Sequence, residues 1–344
     1  MPKVSVIVPV YNCGEFLDEL IESMKAQTLS DFEVIFVDDG SKDNSAEVIN
    51  KHLPEDSRFR YIYQENQGGG IARNTGISNA NAEYVICIDA DDLYEKDMLE
   101  VLYNRAKETD ADITICKFKR WDMLTGRIAN GKGIEDKLLP DKEVFSADDF
   151  ENILEFTNPG PCNKLYKLDF IRKNNLFYSG TKIINDLKFG MVALCIANKI
   201  TVVDKALSTY RYQGSASNSK NREKKLECSV RVFKEIYDEF SNRNIYEKNE
   251  NLYISKIFDS IKYEMSFPVS DEVIALLKNF LSNAPFDKMT KKDKEKLFKL
   301  KRVKKQNLEY TLLNILTFGL NKSIKYKYTN HKNAIKNLQK LINV

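Results

Sequence analysis

Tyr84-Val85-Ile86-Cys87-Ile88-Asp89-Ala90-Asp91-Asp92 decides how this chain is read: five apolar residues, mostly β-branched or aromatic, run straight into three carboxylates within four positions. A short apolar run bounded by polar residues predicts a buried strand, with the acids just past its carboxyl end. Three like charges packed so closely repel one another, and at least one protonates unless a cation shares the site. A hard divalent metal with oxygen ligands would relieve them. Read alone, the stretch also suits a solvated acidic turn in which Asp91 or Asp92 caps the next helix.

Outward from this stretch, the pattern repeats. Val4 to Pro9 reads as a buried strand ending in Pro9-Val10-Tyr11-Asn12, and an amphipathic helix follows from about Glu15 to Gln27. Phe32 to Val37 is a second such strand and empties into Asp38-Asp39-Gly40-Ser41. Helix 44–52, strand 59–63, the loop Asn66 to Gly70, a short helix at 71–77, helix 96–108 and strand 112–118 continue the alternation. Alternating elements with fully apolar strands predict an α/β fold with a doubly wound, mostly parallel sheet flanked by helices. Such sheets bind ligands beyond the carboxyl ends of their strands, where Pro9-Tyr11, Asp38-Asp39 and Asp89-Asp91-Asp92 all fall. After Lys119 the periodicity loosens into a loop or hairpin excursion over 120–145. A helix is expected near Ala147–Phe156, another at about Asp186–Ala197, a strand at Ile200–Val203, a polar run at Tyr210–Ser215, and helix from about Asn221 onward. There is no internal repeat.

Composition narrows the class. A 42% apolar and 30% charged chain of 344 residues describes a globular protein with room for a sizeable core. Met1-Pro2-Lys3 leads directly into a strand, so no secretory signal is expected, and six dispersed cysteines without a CxxC pair suit reduced thiols in a cytoplasm. Two histidines leave little for zinc sites or His-based triads. The net charge of +3 conceals a basic tail: residues 288–344 hold 16 Lys and Arg against 3 Asp and Glu.

Phosphate-binding glycine motifs are missing. Gly68, Gly69 and Gly70 are followed by Arg73 rather than another glycine, and no Walker A spacing occurs. Carboxylates at a phosphate position imply a bridging Mg2+ or Mn2+. The sequences Val-Ser-Val-Ile-Val-Pro-Val-Tyr-Asn at 4–12, Val-Asp-Asp-Gly-Ser at 37–41, Ala-Arg-Asn-Thr-Gly-Ile at 72–77 and Asp-Ala-Asp-Asp at 89–92 resemble the family 2 glycosyltransferases. These are inverting enzymes of the GT-A fold that use nucleotide-sugar donors. The resemblance is close over residues 3–118, looser to about 218, and then fades.

The resemblance implies a site residue by residue. Pro9 and Tyr11 would line the nucleoside pocket, Asp39 would accept from the uracil imide with Asp38 beside it, and Arg73 would lie near the base or phosphates. Asp89 would face the ribose, and Asp91 the metal, with Asp92 supporting. Inverting transfer needs a base for the acceptor hydroxyl, and the family pattern puts it at Asp186; Asn185 departs from the usual glutamate. Gln213 stands where relatives often have a histidine metal ligand. The expected partners are a UDP-sugar donor and a glycan or lipid-linked glycan acceptor; the cofactor is Mn2+ or Mg2+. The expected organisation is a catalytic domain over 1–218, with a donor half at 1–118 and an acceptor half at 119–218, then a helical basic region over 219–344.

The apolar stripe Leu308 to Leu320 is shorter than the roughly 20 residues a bilayer span requires. With its flanking lysines it suits a membrane surface or a partner chain, and it lacks a nucleic-acid module. The expected function is therefore transfer of a hexose or N-acetylhexosamine to a growing, lipid-linked cell-surface glycan, in the cytoplasm or peripherally on the inner membrane face. The alternative is a non-catalytic nucleotide-sugar-binding subunit supporting a partner glycosyltransferase, which Asn185 and Gln213 would permit.

Overall fold

The computed structural model describes residues 1–131, 133–150, 152–212, 222–264 and 276. The first half alternates as β1 (Val4–Val10), α1 (Gly14–Lys25), β2 (Phe32–Asp38), α2 (Ser45–His52), β3 (Phe59–Tyr63), α3 (Gly69–Ser78), β4 (Tyr84–Cys87), β5 (Leu93–Tyr94) and α4 (Met98–Thr109). The remainder comprises β6 (Ile113–Asp122), β7 (Ile128–Asn130), α5 (Ile153–Phe156), β8 (Lys164–Lys167), α6 (Leu168–Lys173), α7 (Asp186–Ile196), β9 (Ile200–Tyr212), α8 (Arg222–Asn242) and α9 (Tyr246–Glu264). The strands form one sheet in the order β3-β2-β1-β4-β8-β6-β9-β5, with β7 paired to β6. β3, β2, β1 and β4 run parallel, as do β6 and β9, while β8 is antiparallel to both β4 and β6. The sheet is mostly parallel, as the alternation predicts, with antiparallel β8 an addition that it does not.

The registers bring the strand ends level. Val10 lies opposite Asp38, Asp38 opposite Tyr63, and Ile7 opposite Cys87. Val4, Val6, Ile7, Val8 and Val10 of β1 are all buried, so helices cover both faces of the central strand. α1 turns Leu17, Leu20, Ile21 and Met24 into the core with Val34, Phe36 and Ile86. Because both faces are apolar, polar groups collect where the strands stop.

Several elements depart from the expectation. Ala147–Phe156 is not one helix but a single 3-10 turn, Ala147–Asp149, followed by the one-turn α5. Ser146 caps the first turn, and Asn152 starts the second by accepting from the Leu154 N–H at 3.0 Å. Two competing caps so close together divide the segment. β9 continues well past Val203, so the polar run at Tyr210–Tyr212 is strand paired to β6 rather than loop. β8, four residues with lysines at both ends, carried no apolar signature, yet it bridges the two parallel halves.

The chain divides into two compact units: one holds the described residues through β9 together with Asp238–Leu252, and the other holds α8 up to Tyr237 and α9 from Tyr253. Within the second, the Tyr253 hydroxyl donates to the Phe233 carbonyl at 2.8 Å, and Leu226 and Ile236 are buried. Among the described residues no helix is long and apolar enough to cross a membrane. Gln213 and the basic stretch from Lys288 lie outside the described residues.

Candidate active site

At the carboxyl edge of the sheet, a cleft of about 430 Å³ is lined by Pro9, Tyr11, Asp39, Gly69, Arg73, Asp89 and Asp91, with Cys13 and Phe16 among its other walls. Tyr11 leaves the end of β1 with half its surface exposed. Asn12 follows at φ +50° and ties this turn to the next strand end. Its N–H donates to Ser41 Oγ at 3.1 Å and its Oδ1 accepts from the Lys42 N–H at 2.7 Å.

The two aspartates at the end of β2 divide their work. Asp39 Oδ1 accepts from Gln64 Nε2 at 2.7 Å and from the Gln67 N–H at 2.9 Å, while Oδ2 accepts from the Gly68 N–H at 2.7 Å. One carboxylate thereby shapes the loop that leads into α3, and Gly68 supplies the φ of +96° the loop needs. Asp38 is not among the residues lining the cleft. It is buried beneath, accepting from the Ser41 N–H and the Tyr61 hydroxyl, both at 2.8 Å.

Arg73 is the centre of the charged array. Only 8% exposed, it donates from Nη2 to Asp89 Oδ1 at 2.6 Å and from Nη1 to Asn185 Oδ1 at 3.0 Å. Its guanidinium also lies 5.5 Å from the Tyr178 ring centroid, and Nε has no partner. The Asp89 peptide is gripped by Tyr94, whose hydroxyl accepts from the Asp89 N–H at 2.9 Å and donates to the Asp89 carbonyl at 3.0 Å.

Beside this pair the acids are under-compensated. Burial, then repulsion from Asp89, raises the Asp91 carboxyl and pushes Asp92 up to about 8. Asp92 is buried and accepts from the Arg211 N–H at 3.0 Å, so it sits behind the cleft wall that Asp91 forms. Ligand atoms of Asp89, Asp92 and Cys162 lie within 4.8 Å of one another. Carboxylates held partly protonated by burial and mutual repulsion are what a divalent cation would ionise, and oxygen donors suit Mn2+ or Mg2+. Asp89 and Asp92 supply carboxylate oxygens that suit such an ion; Cys162 is a thiol and does not, and Asp91, the expected metal residue, stands outside this group.

Asp186 opens α7 and is half-buried. Burial raises its carboxyl, Arg73 opposes that, and Asp89 adds to it. The local backbone is costly: Ile184, a β-branched residue, holds φ +54°, a conformation worth about 1–3 kcal/mol of strain. α3 holds the segment from the other side. Asn74 and the Tyr178 peptide exchange hydrogen bonds at 2.8 and 3.0 Å, and a Cβ on Gly70 would meet the Ser179 carbonyl oxygen at 2.2 Å.

Sequence reasoning missed Lys164, which is completely buried on β8 and donates from Nζ to the Gly160 carbonyl at 2.8 Å and to Asn163 Oδ1 at 2.9 Å. Burial drops its ammonium to about 7, against the pull of Cys116, Cys162 and Asp186. A lysine inside the run Asn163 to Tyr166 was the one available signal. Tyr94 and Cys162 carried none, because each acts through its place in the fold rather than through a motif.

A charged cleft at the carboxyl edge of a mostly parallel sheet, with acids beside a buried arginine, agrees with the GT-A fold that the sequence resemblance implies. The profile of "Glycosyl transferase family 2" matches residues 5–173. The chain is 32% identical over 276 residues to a cholesterol galactosyltransferase of Borreliella burgdorferi, covering 77% of this chain and 75% of that one. It is 43% identical over 124 residues to the glycosyltransferase GlyG of Streptococcus pneumoniae, covering 36% of this chain and 41% of GlyG's length. The crystal structure of S. aureus TarS 1–349 superposes with a TM-score of 0.64 at 26% identity, covering 82% of this chain and 81% of that one. The chain belongs to the family 2 glycosyltransferases.

Proposed function

We propose that this chain is a metal-dependent inverting glycosyltransferase that moves a hexose or N-acetylhexosamine from a UDP-sugar to a hydroxyl of a growing, lipid-linked cell-surface glycan. The observation that carries this is the meeting of Pro9, Tyr11, Asp39, Arg73, Asp89 and Asp91 around one cleft. Tyr11 offers an aromatic face to the uracil, and Asp39, anchored by its three donors, keeps acceptor capacity for the imide. Asp38 serves this pocket from behind, by fixing the 39–41 turn. Asp89 faces the ribose while paired to Arg73, whose guanidinium lies near the phosphates or base.

Asp91, with Asp92 in support, would hold Mn2+ or Mg2+, which would neutralise charge developing on the departing diphosphate. Asp186 takes the proton as the acceptor oxygen bonds to the anomeric carbon and the sugar–phosphate bond breaks on the opposite face, so that the configuration inverts. Its raised carboxyl makes it a stronger base than an exposed aspartate.

We assign residues 1–118 to the donor half, 119–218 to the acceptor half and 219–344 to a basic region that meets a membrane surface or partner chain. The name of the Borreliella relative, a cholesterol galactosyltransferase, supports a hexose donor and a lipidic acceptor; we place the chain peripherally on the inner membrane face on the strength of its basic C-terminal stretch alone. The test is UDP release by the purified chain from a panel of UDP-sugars with Mn2+. Asp91→Ala should remove the metal-dependent turnover; an unchanged rate would overturn the metal assignment. A chain that binds UDP yet turns over no donor would instead be the supporting subunit.

A further inference from the structure

Asn185 forgoes the bond its residue type usually makes. An asparagine preceding a helix ordinarily turns its side-chain oxygen back onto the first free N–H groups. At the start of α7 no such cap is made. Instead Asn185 Oδ1 accepts from Arg73 Nη1 at 3.0 Å, while the same guanidinium holds Asp89 at 2.6 Å. The Asn185 carbonyl accepts from the Ser179 N–H at 3.0 Å, so both polar ends of the residue are committed outside the helix.

Two further departures from local preference fall at the same place. Ile184 sits at positive φ immediately before, and Gly70 is required because a Cβ there would stand 2.8 Å from Asn185 Cβ. Beneath the arginine, the Tyr178 ring stacks on Phe189 of α7 at a centroid distance of 4.2 Å. A strained backbone and a glycine that no larger residue can replace, meeting where Asn185 bonds Arg73, are the kind of local cost that functional sites hold.

We propose that Asn185 is a positioning residue: through Arg73 it fastens the first turn of α7 to Asp89, and so fixes where Asp186 presents its carboxylate. This rests on the reading of Asp186 as the base. Donor binding and proton removal are then joined by one guanidinium, with a carboxylate on the donor side and an amide on the base side. Removing the amide oxygen leaves Arg73 held by Asp89 and loosens only the base.

The test uses the full chain and four variants, Asn185→Ala, Asn185→Leu, Asn185→Asp and Asp186→Asn. UDP affinity is measured by calorimetry, and kcat and KM by UDP release from UDP-glucose and UDP-N-acetylglucosamine with Mn2+. Asn185→Ala and Asn185→Leu should lower kcat roughly 10- to 100-fold, the scale of a misplaced catalytic group. Donor KM and UDP affinity should stay within about threefold, as expected when ground-state binding is untouched. Asn185→Asp keeps an oxygen acceptor for Arg73 and should restore most of kcat. Wild-type kcat in Asn185→Leu, equal losses in Asn185→Asp and Asn185→Ala, or a kcat loss matched by lost UDP binding would each overturn the inference while leaving the base assignment standing, provided Asp186→Asn binds UDP and fails to turn over. An active Asp186→Asn would overturn both.

Discussion

Lys164 shows what burial does to a single charge. Its ammonium is surrounded by the Gly160 carbonyl, Asn163, Cys116, Cys162 and Asp186, with no access to water. In the unfolded chain it would titrate near 10.5, whereas in the fold it titrates at about 7. Between those values the unfolded chain binds a proton that the folded chain has released, so this residue's contribution to stability rises with pH and is at its worst below 7. The gain is about 1.4 kcal/mol per pH unit at most. Buried thiols such as Cys116, with a raised value of about 12, work in the opposite direction above 9. Urea unfolding of wild type and Lys164→Met from pH 7 to 9 should therefore show the difference moving in favour of the wild type as pH rises. Parallel curves would mean that Lys164 is charged throughout or reaches solvent.

At the scale of elements, the site depends on how closely α3 approaches the segment before α7. Gly69 and Gly70 are neighbours in the first turn of α3, yet they face different surroundings. A Cβ on Gly69 would find its nearest neighbour, Arg73 Nη1, at 3.5 Å, an ordinary contact. On Gly70 it would collide with the Ser179 carbonyl oxygen at 2.2 Å, which is backbone and cannot swing away. Gly70→Ala should cost about 1–3 kcal/mol as overpacking and reduce turnover by displacing Asn185 and Asp186. Gly69→Ala should leave the unfolding midpoint unchanged or slightly raised, since alanine favours helix. Equal midpoints for the two variants in a thermal scan would show that the segment before α7 yields freely.

For the molecule as a whole, the acid cluster links stability to pH and, if it holds the proposed cation, to metal. Asp92 is held at about 8 against an ordinary 3.8. Across that window the folded state keeps a proton the unfolded chain has lost, so stability from this group falls as pH rises. A cation that binds the ionised form offsets the loss, and does so most where protons no longer compete. Mn2+ added with UDP should thus raise the midpoint of unfolding by several degrees at pH 8 and much less at pH 5, relative to EDTA. An equal shift at both values would place the ion away from these carboxylates.

The sequence determined which residues stand at the strand ends. Apolar runs too long and continuous for a half-exposed sheet made β1, β2 and β4 legible, and the acids and Tyr11 that terminate them had to emerge on one edge once those strands lay parallel. Neighbour-by-neighbour chemistry was not legible in the same way. That Asp38 would sit behind the cleft while Asp39 lined it, that Asp92 would bond to the Arg211 peptide, and that Asn185 would abandon its cap for Arg73 all depend on contacts between residues distant in the chain. β8 and its buried Lys164 were hidden for a related reason. A four-residue strand between two longer ones is stabilised by its neighbours' hydrogen bonds rather than by its own pattern. Periodicity reports burial along one element; only tertiary packing sets which groups meet across elements, and it is there that Arg73, Asp89 and Asp91 come to face one cleft.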